Sequence, residues 1–513
     1  MSQDKENVSI KMCNKKVLNS MQQKVQANIS SENQSIIAKI LSLKAFSSAN
    51  VQEVFQGGAK LSLDVYYEAV ACLESGEIVC LEQTVSGTSV TYESPYISQE
   101  KAVFVRPCVI DNQTTINDGE INIISLINID VFVKDNSSCF VPPVVEDNIS
   151  IKTTENKVCS QRDSFSSNGN IKGEIAVDSK FKKVVFSNYT GYLKSFDVKT
   201  DYFVINGEMY AYLLCEYEDG QLKTITKTFD FSEEIELKGI DKDDILQLYF
   251  STMKKLETNI VVGQNGETII ELDMPYKVCG EVYSCYNQEV IIDAYDTFKE
   301  VNLTTESFEN AISHSSCFAE EKIIAAFNLN EDSPRVERIL GTAGENISLV
   351  NSVVKDGELI LEGIANVCVI YYSEDDEGNK VLNSALIDLP YSFNILNNDL
   401  KEGDIIDVDL HLGEISIKNK KGRELEVVAN VFICYNNSSP NVNAFTTEII
   451  LGEEKPTAEY PLEIVIAREG ETLWDIAKRL SVKEETLMIQ NPNIELPVQE
   501  GEKIVIYRER KGE

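Results

Sequence analysis

Residues 61–80 read LSLDVYYEAVACLESGEIVC, a β-branched and aromatic run that breaks at an acidic turn closed by Gly76 and then resumes. Alternating apolar side chains suit a strand with one buried face, and glycine tolerates a tight turn, so the stretch reads as a β-hairpin. The pattern returns twice: FVINGEMYAYLLCEYEDGQLK at 203–223 turns at Gly220, and LILEGIANVCVIYYSEDDEGNKV at 359–381 turns at Gly378. A pattern recurring along a chain signals repeated structural units, and it decides the fold class.

A second glycine turn follows each hairpin, in NDGEINIISLINIDVFV (117–133), QNGETIIELDMPYKVCG (264–280) and KKGRELEVVANVFICYN (420–436). Its glycines, Gly119, Gly266 and Gly422, stand 43, 46 and 44 residues beyond the first set. Each unit opens on a related phrase: SIIAKILSLKA, KFKKVVFSNYT and RVERILGTAGE. The expectation is a mainly β chain with three repeated, sandwich-like β-rich domains over 27–134, 171–290 and 322–437. Their sheet edges could accept a partner strand. The Ser/Asn-rich or proline-broken stretches 135–170, 291–321 and 438–461 read as linkers, the second with room for a short helix. The segment 1–26 reads as partly helical, because KKVLNSMQQKVQANIS sets Val17, Met21 and Val25 on one side. Residues 462–508 form a small β-α-α-β domain and 509–513 a tail.

At 513 residues the chain exceeds what one hydrophobic core supports. A formal net charge of −36 opposes binding to nucleic acid, whose phosphates call for Lys and Arg, and to anionic lipid. MSQDKENVSIKMCNKKVLNS lacks the apolar core of a secretory signal, so a cytoplasmic location is expected. No stretch approaches the roughly 18 apolar residues of a membrane span. The 12 cysteines are scattered without a CxxC pair, Cys279/Cys285 and Cys72/Cys80 being nearest, and read as buried reduced thiols.

Enzyme chemistry finds little support. The two histidines, His314 in a polar stretch and His411 in DVDLHLGEI, read as structural or surface groups. The motifs GxSxG, HExxH, Walker A and GxGxxG are absent. Acidic clusters such as SEDDEG fall on hairpin tips, where a solvated turn accounts for them. Neither cofactor nor metal is expected.

The C-terminal stretch from Glu463 to Tyr507 holds the only tryptophan, Trp474. Glu463–Arg468 reads as a strand, followed by a turn at Gly470. Thr472 and Asp475 form a capping box ahead of Leu473, Ile476, Ala477 and Leu480, which share one helical face. Ser481 and Glu484 repeat the device for a second helix, which ends near Asn491 because Pro492 disfavours helix in the residue before it. Glu502–Tyr507 supplies a last strand, antiparallel to the first, with both helices on one face.

This stretch resembles the LysM domain: GETLWDIAKRLSVKEETLMIQNP follows that family's Gly-[Asp/Glu]-Thr-Leu turn, aromatic, Ile-Ala helix and closing Asn-Pro. ELPVQEGEKI departs from it where family members often carry Pro-Gly. The resemblance implies a groove lined by Gly470, Glu471, Thr472 and Leu473 on one side and by Asn493, Ile494 and Leu496 on the other. Such a groove suits N-acetyl sugars, whose acetamides need hydrogen bonds and whose methyls need apolar contact. Trp474 reads as packing rather than as a stacking platform. The β-rich units resemble the SPOCS-type repeats of endospore-forming Firmicutes. Their combination with a C-terminal LysM domain is similar to the clostridial spore-coat morphogenetic proteins, the SipL/SpoVID-like group. That resemblance implies a non-enzymatic protein at the forespore surface, in the mother-cell cytosol, whose LysM domain engages the coat basement-layer ATPase (SpoIVA-like). Binding of N-acetylglucosamine in peptidoglycan or cortex is the alternative, and a LysM-targeted wall hydrolase a third.

Overall fold

The computed structural model describes residues 8–31, 35–141, 148–177, 180–252, 256–263, 267–375, 377–456 and 460–508. The described chain is mainly β, with 22 strands and two short helices. In chain order the strands fall into three groups and a terminal unit. The first group holds β1 (Val8–Val17), β2 (Met21–Ile29), β3 (Ile37–Phe55), β4 (Gly58–Leu73), β5 (Ile78–Glu93), β6 (Ala102–Asn117) and β7 (Glu120–Val141). The second holds β8 (Ile149–Val177), β9 (Phe181–Val198), β10 (Tyr202–Tyr217), β11 (Leu222–Glu236), β12 (Ile245–Thr252), β13 (Glu257–Val262) and β14 (Thr268–Asp296). The third holds β15 (Lys299–Asn328), β16 (Arg338–Lys355), β17 (Glu358–Glu374), β18 (Lys380–Leu396), β19 (Ile405–Lys421) and β20 (Glu424–Glu454). The terminal unit comprises β21 (Leu462–Ile466), α1 (Leu473–Leu480), α2 (Glu484–Gln490) and β22 (Lys503–Tyr507).

Each group divides into two antiparallel sheets. One sheet is three consecutive strands: β3-β4-β5, β9-β10-β11 or β16-β17-β18. In the other, the group's opening strand pairs with its last: β1 and β2 with β7, β8 with β14, and β15 with β20. The central strands obey their alternation. Leu61, Leu63, Val65 and Tyr67 of β4 are fully buried, as are Phe203, Ile205, Met209 and Ala211 of β10 and Leu359, Leu361, Ala365 and Val367 of β17. Burial of a large aliphatic or aromatic side chain contributes about 1.5–3 kcal/mol. The turns behind them hold Gly76, Gly220 and Gly378 at φ of 82°, 75° and 82°, a region where a Cβ is strained.

The three triple-stranded sheets also meet one another. Leu41, Val70, Val185, Leu214, Leu340 and Ile370 belong to one buried cluster drawn from all three groups, separate from each group's own core.

Four expectations need correction. The linkers are strands: 135–141 complete β7, 149–170 lie in β8, 291–321 fall within β14 and β15 but for a two-residue turn, and 438–454 complete β20. Their polar residues mislead because several are buried in seams where they find partners: Asn310, Ser438 and Thr446 are all under 6% exposed, and each is hydrogen-bonded. The N-terminal helix is instead β1 and β2. A spacing of four is also a multiple of two, so Val25, Ala27 and Ile29 alternate inward with exposed Gln26 and Asn28. Cys159 and Cys285, 126 residues apart, are joined in a disulfide across β8 and β14, so the thiols are not all reduced. Ser481 does not cap the second helix; it ends the first, in a left-handed conformation at φ 53°. Gly266 and the segments 1–7 and 509–513 lie outside the described residues. No helix among the described residues is long and apolar enough to cross a membrane.

Candidate functional site

The terminal unit is built locally. β21 and β22 pair antiparallel from Leu462↔Tyr507 to Ile466↔Lys503. Thr472 starts α1 with both halves of a capping box: the Asp475 N–H donates to Thr472 Oγ1 at 3.3 Å, and the Thr472 N–H donates to Asp475 Oδ2 at 2.9 Å. Lys483 precedes α2 without a side-chain cap. The Asn491 side chain fastens the end of α2 to β22, accepting from Val505 N–H and donating to Val505 O, both at 2.8 Å. Ile476, Ala477, Leu487, Ile504 and Ile506 form the fully buried centre.

The predicted groove residues separate by role. Gly470, Thr472, Asn493 and Leu496 are exposed. Glu471 is occupied: it accepts from the Arg468 N–H at 2.9 Å and pairs with Arg479 at 2.8 Å. Leu473, 7% exposed, points into the core, and Ile494 packs on the same cluster. The two stretches therefore border one apolar centre, and Leu473 belongs to that centre rather than to an open wall.

Trp474 has a partner that sequence reasoning missed. Its indole N–H donates to Asp293 Oδ2 at 2.8 Å, and its ring meets Tyr295 edge-on at 4.9 Å. Lys478 reaches Asp293 Oδ1 at 2.5 Å, and the Tyr295 hydroxyl donates to Val482 O at 2.8 Å. The terminal unit is thereby seated on the end of β14. Burial alone would raise the Asp293 carboxyl, but Lys478 and Trp474 hold it below its ordinary value. The strand patterns also left a face unread. Leu462, Ile464, Ile466 and Tyr507 are each at least 57% exposed on the sheet surface away from the helices. The signal was present in LEIVI and KIVIY, where both faces of the strands are apolar.

Polar clusters elsewhere are mostly self-satisfied. His314 Nδ1 lies 2.8 Å from Ser438 Oγ, and its ring stacks on Tyr283 at 3.7 Å. Burial pushes this imidazole down to about 3, too weak a base to take a proton from serine. For His411, burial alone would lower the pKa, yet Asp409 at 3.1 Å raises it. Burial pushes the Cys215 and Cys368 thiols up to about 12, far from the thiolate a nucleophile needs. Glu68, Cys80 and Glu82 bring three ligand atoms within 4.8 Å of one another, the nearest approach to a metal site among the described residues. The Cys80 thiol donates to Glu68 Oε1 at 3.2 Å, so the buried carboxylate has a partner without an ion.

No family model, curated protein or solved structure matches the chain. Functional assignment therefore rests on its own residues.

Proposed function

We propose that this chain is a non-enzymatic spore-coat assembly protein. In this reading three repeated sandwich-like domains of the SPOCS kind carry a C-terminal LysM-type domain that binds the coat basement-layer ATPase at the forespore surface. The observation supporting a protein ligand is the state of the terminal unit. Trp474, the side chain able to stack on a sugar, is turned onto Asp293 and Tyr295, while Leu462, Ile464, Ile466 and Tyr507 leave an apolar face open. Such a face suits a protein partner, whereas a glycan site asks for convergent polar groups. The exposed Gly470, Thr472, Asn493 and Leu496 supply the adjoining loops. A domain this small offers a modest contact, with affinity on the order of micromolar, about −8 kcal/mol. Many copies along a coat then act through avidity.

One observation favours the second reading, a peptidoglycan- or cortex-binding protein. The Cys159–Cys285 disulfide suits an oxidising compartment. Eight further cysteines, Cys72 and Cys434 among them, are free thiols, which weighs towards the cytosol. A fluorescent fusion followed through sporulation separates the readings. Signal encircling the forespore is expected, and signal at the cell wall, or in cells that are not sporulating, contradicts the coat assignment.

A further inference from the structure

Where the three triple-stranded sheets meet, a chamber of about 190 Å³ opens between β3, β9, β10, β16 and β19. Lys44 of β3, Asn188 of β9 and Glu345 of β16 line it, one from each group of strands. Lys44 Nζ donates to Asn188 Oδ1 at 2.6 Å, and Asn188 Nδ2 donates to Glu345 Oε2 at 3.3 Å. A neutral amide thus bridges a cation and an anion. Glu345 sits where the β16–β17 register slips between Ala343 and Asn346, an irregularity that re-aims side chains. Tyr212 of β10 closes the wall: it is 5% exposed, and its hydroxyl has no hydrogen-bond partner. A Cβ at Gly341 would stand 2.8 Å from that hydroxyl, so glycine leaves it room. A wider cavity of about 1260 Å³ shares Phe46, Asn188, Asn346 and His411 with the chamber and adjoins it.

A purely structural ion pair gains most from direct contact, where Coulomb attraction and hydrogen bonding coincide. Separation by an amide leaves two N–H donors on Lys44 and a carboxylate oxygen on Glu345 unused by this chain of bonds. The orphaned Tyr212 hydroxyl adds a third unfilled group, and buried polar groups are ordinarily paired. An anion alone would be repelled by Glu345, and a cation alone by Lys44. A molecule carrying both charges a few atoms apart answers both.

We propose that the chamber binds a free α-amino acid of small side chain, its carboxylate on Lys44 Nζ and its ammonium on Glu345, with the Tyr212 hydroxyl as a further polar contact from the wall. Asn188 sets the spacing between the two charges. Burial lowers the Lys44 pKa against the pull of Glu345 and Glu68, so the ammonium gains from an added carboxylate.

The test is calorimetric titration of the full chain with L-alanine, L-serine and L-phenylalanine, and with acetate, methylammonium and glucose as controls. Saturable binding of L-alanine or L-serine, one per chain, is expected, with the three controls and L-phenylalanine weaker by about tenfold or more. Tyr212→Phe should weaken that binding by about tenfold while raising the thermal midpoint of the unliganded chain, since it deletes an unpaired buried hydroxyl. Glu345→Gln should weaken amino-acid binding and leave acetate no worse bound. Absence of saturable heat at millimolar L-alanine and L-serine overturns the proposal. So does equal affinity for acetate or glucose, or unchanged binding in both variants.

Discussion

Asp407 on β19 accepts from Lys15 of β1 at 2.8 Å, from Arg106 of β6 at 2.5 Å and from Tyr249 of β12 at 2.9 Å, so one carboxylate joins all three groups of strands. Burial alone would raise its pKa, but Lys15 and Arg106 hold it well below the usual carboxylate range. Arg106 is partly exposed and screened, which leaves Lys15 as the stronger partner. Asp407→Asn strands that ammonium and should cost about 3–5 kcal/mol in denaturant unfolding. Because the folded pKa is depressed below an unfolded value of about 3.9, the contribution is full above that pH and fades as pH falls. The acid limb of the stability curve should therefore flatten in the variant; an unchanged limb would show that Asp407 does not carry it.

At the scale of elements, α1 serves two masters: its inner face fills the terminal core and Trp474 seats the unit on β14. Thr472→Ala removes the cap and should destabilise the unit by about 1 kcal/mol, without freeing it from β14. Asp293→Asn should do the reverse, raising amide exchange at the α1–β14 contact while the terminal core stays protected; protection lost equally in both variants would contradict this division. What the sequence revealed at this scale was local. Gly76, Gly220 and Gly378 announced their hairpins, and Thr472 with Asp475 announced α1, because turns and caps are set within a few residues. What stayed hidden was distant. Trp474 meets Asp293 across 181 positions, and nothing near either residue encodes the meeting. The polar stretches of β15 and β20 passed for linkers because side chains such as Asn310 and Ser438 are paired only once other strands pack on them. Leu473 was legible in part, since the apolar face that placed it on α1 also turned it away from the groove.

Across the whole molecule, the cluster containing Leu41, Val70, Leu214 and Ile370 buries one surface of each group against the others. Leu214 is fully buried there, so Leu214→Ala should cost about 2–5 kcal/mol and lower the calorimetric midpoint of all three groups together. Separate transitions, with only the second group shifted, would mean that the groups are independent beads. A joined body fits an assembly role: it holds the terminal unit's open face in a fixed direction instead of leaving it on a tether.

That open face supplies the most direct measurement. The full-length protein is immobilised and challenged in parallel with purified coat basement-layer ATPase and with peptidoglycan fragments, and Ile464→Asp is run beside the unaltered chain. Micromolar binding of the ATPase, lost in Ile464→Asp, with no retention of glycan, is the predicted result. Retention of glycan with no binding of the ATPase would contradict it.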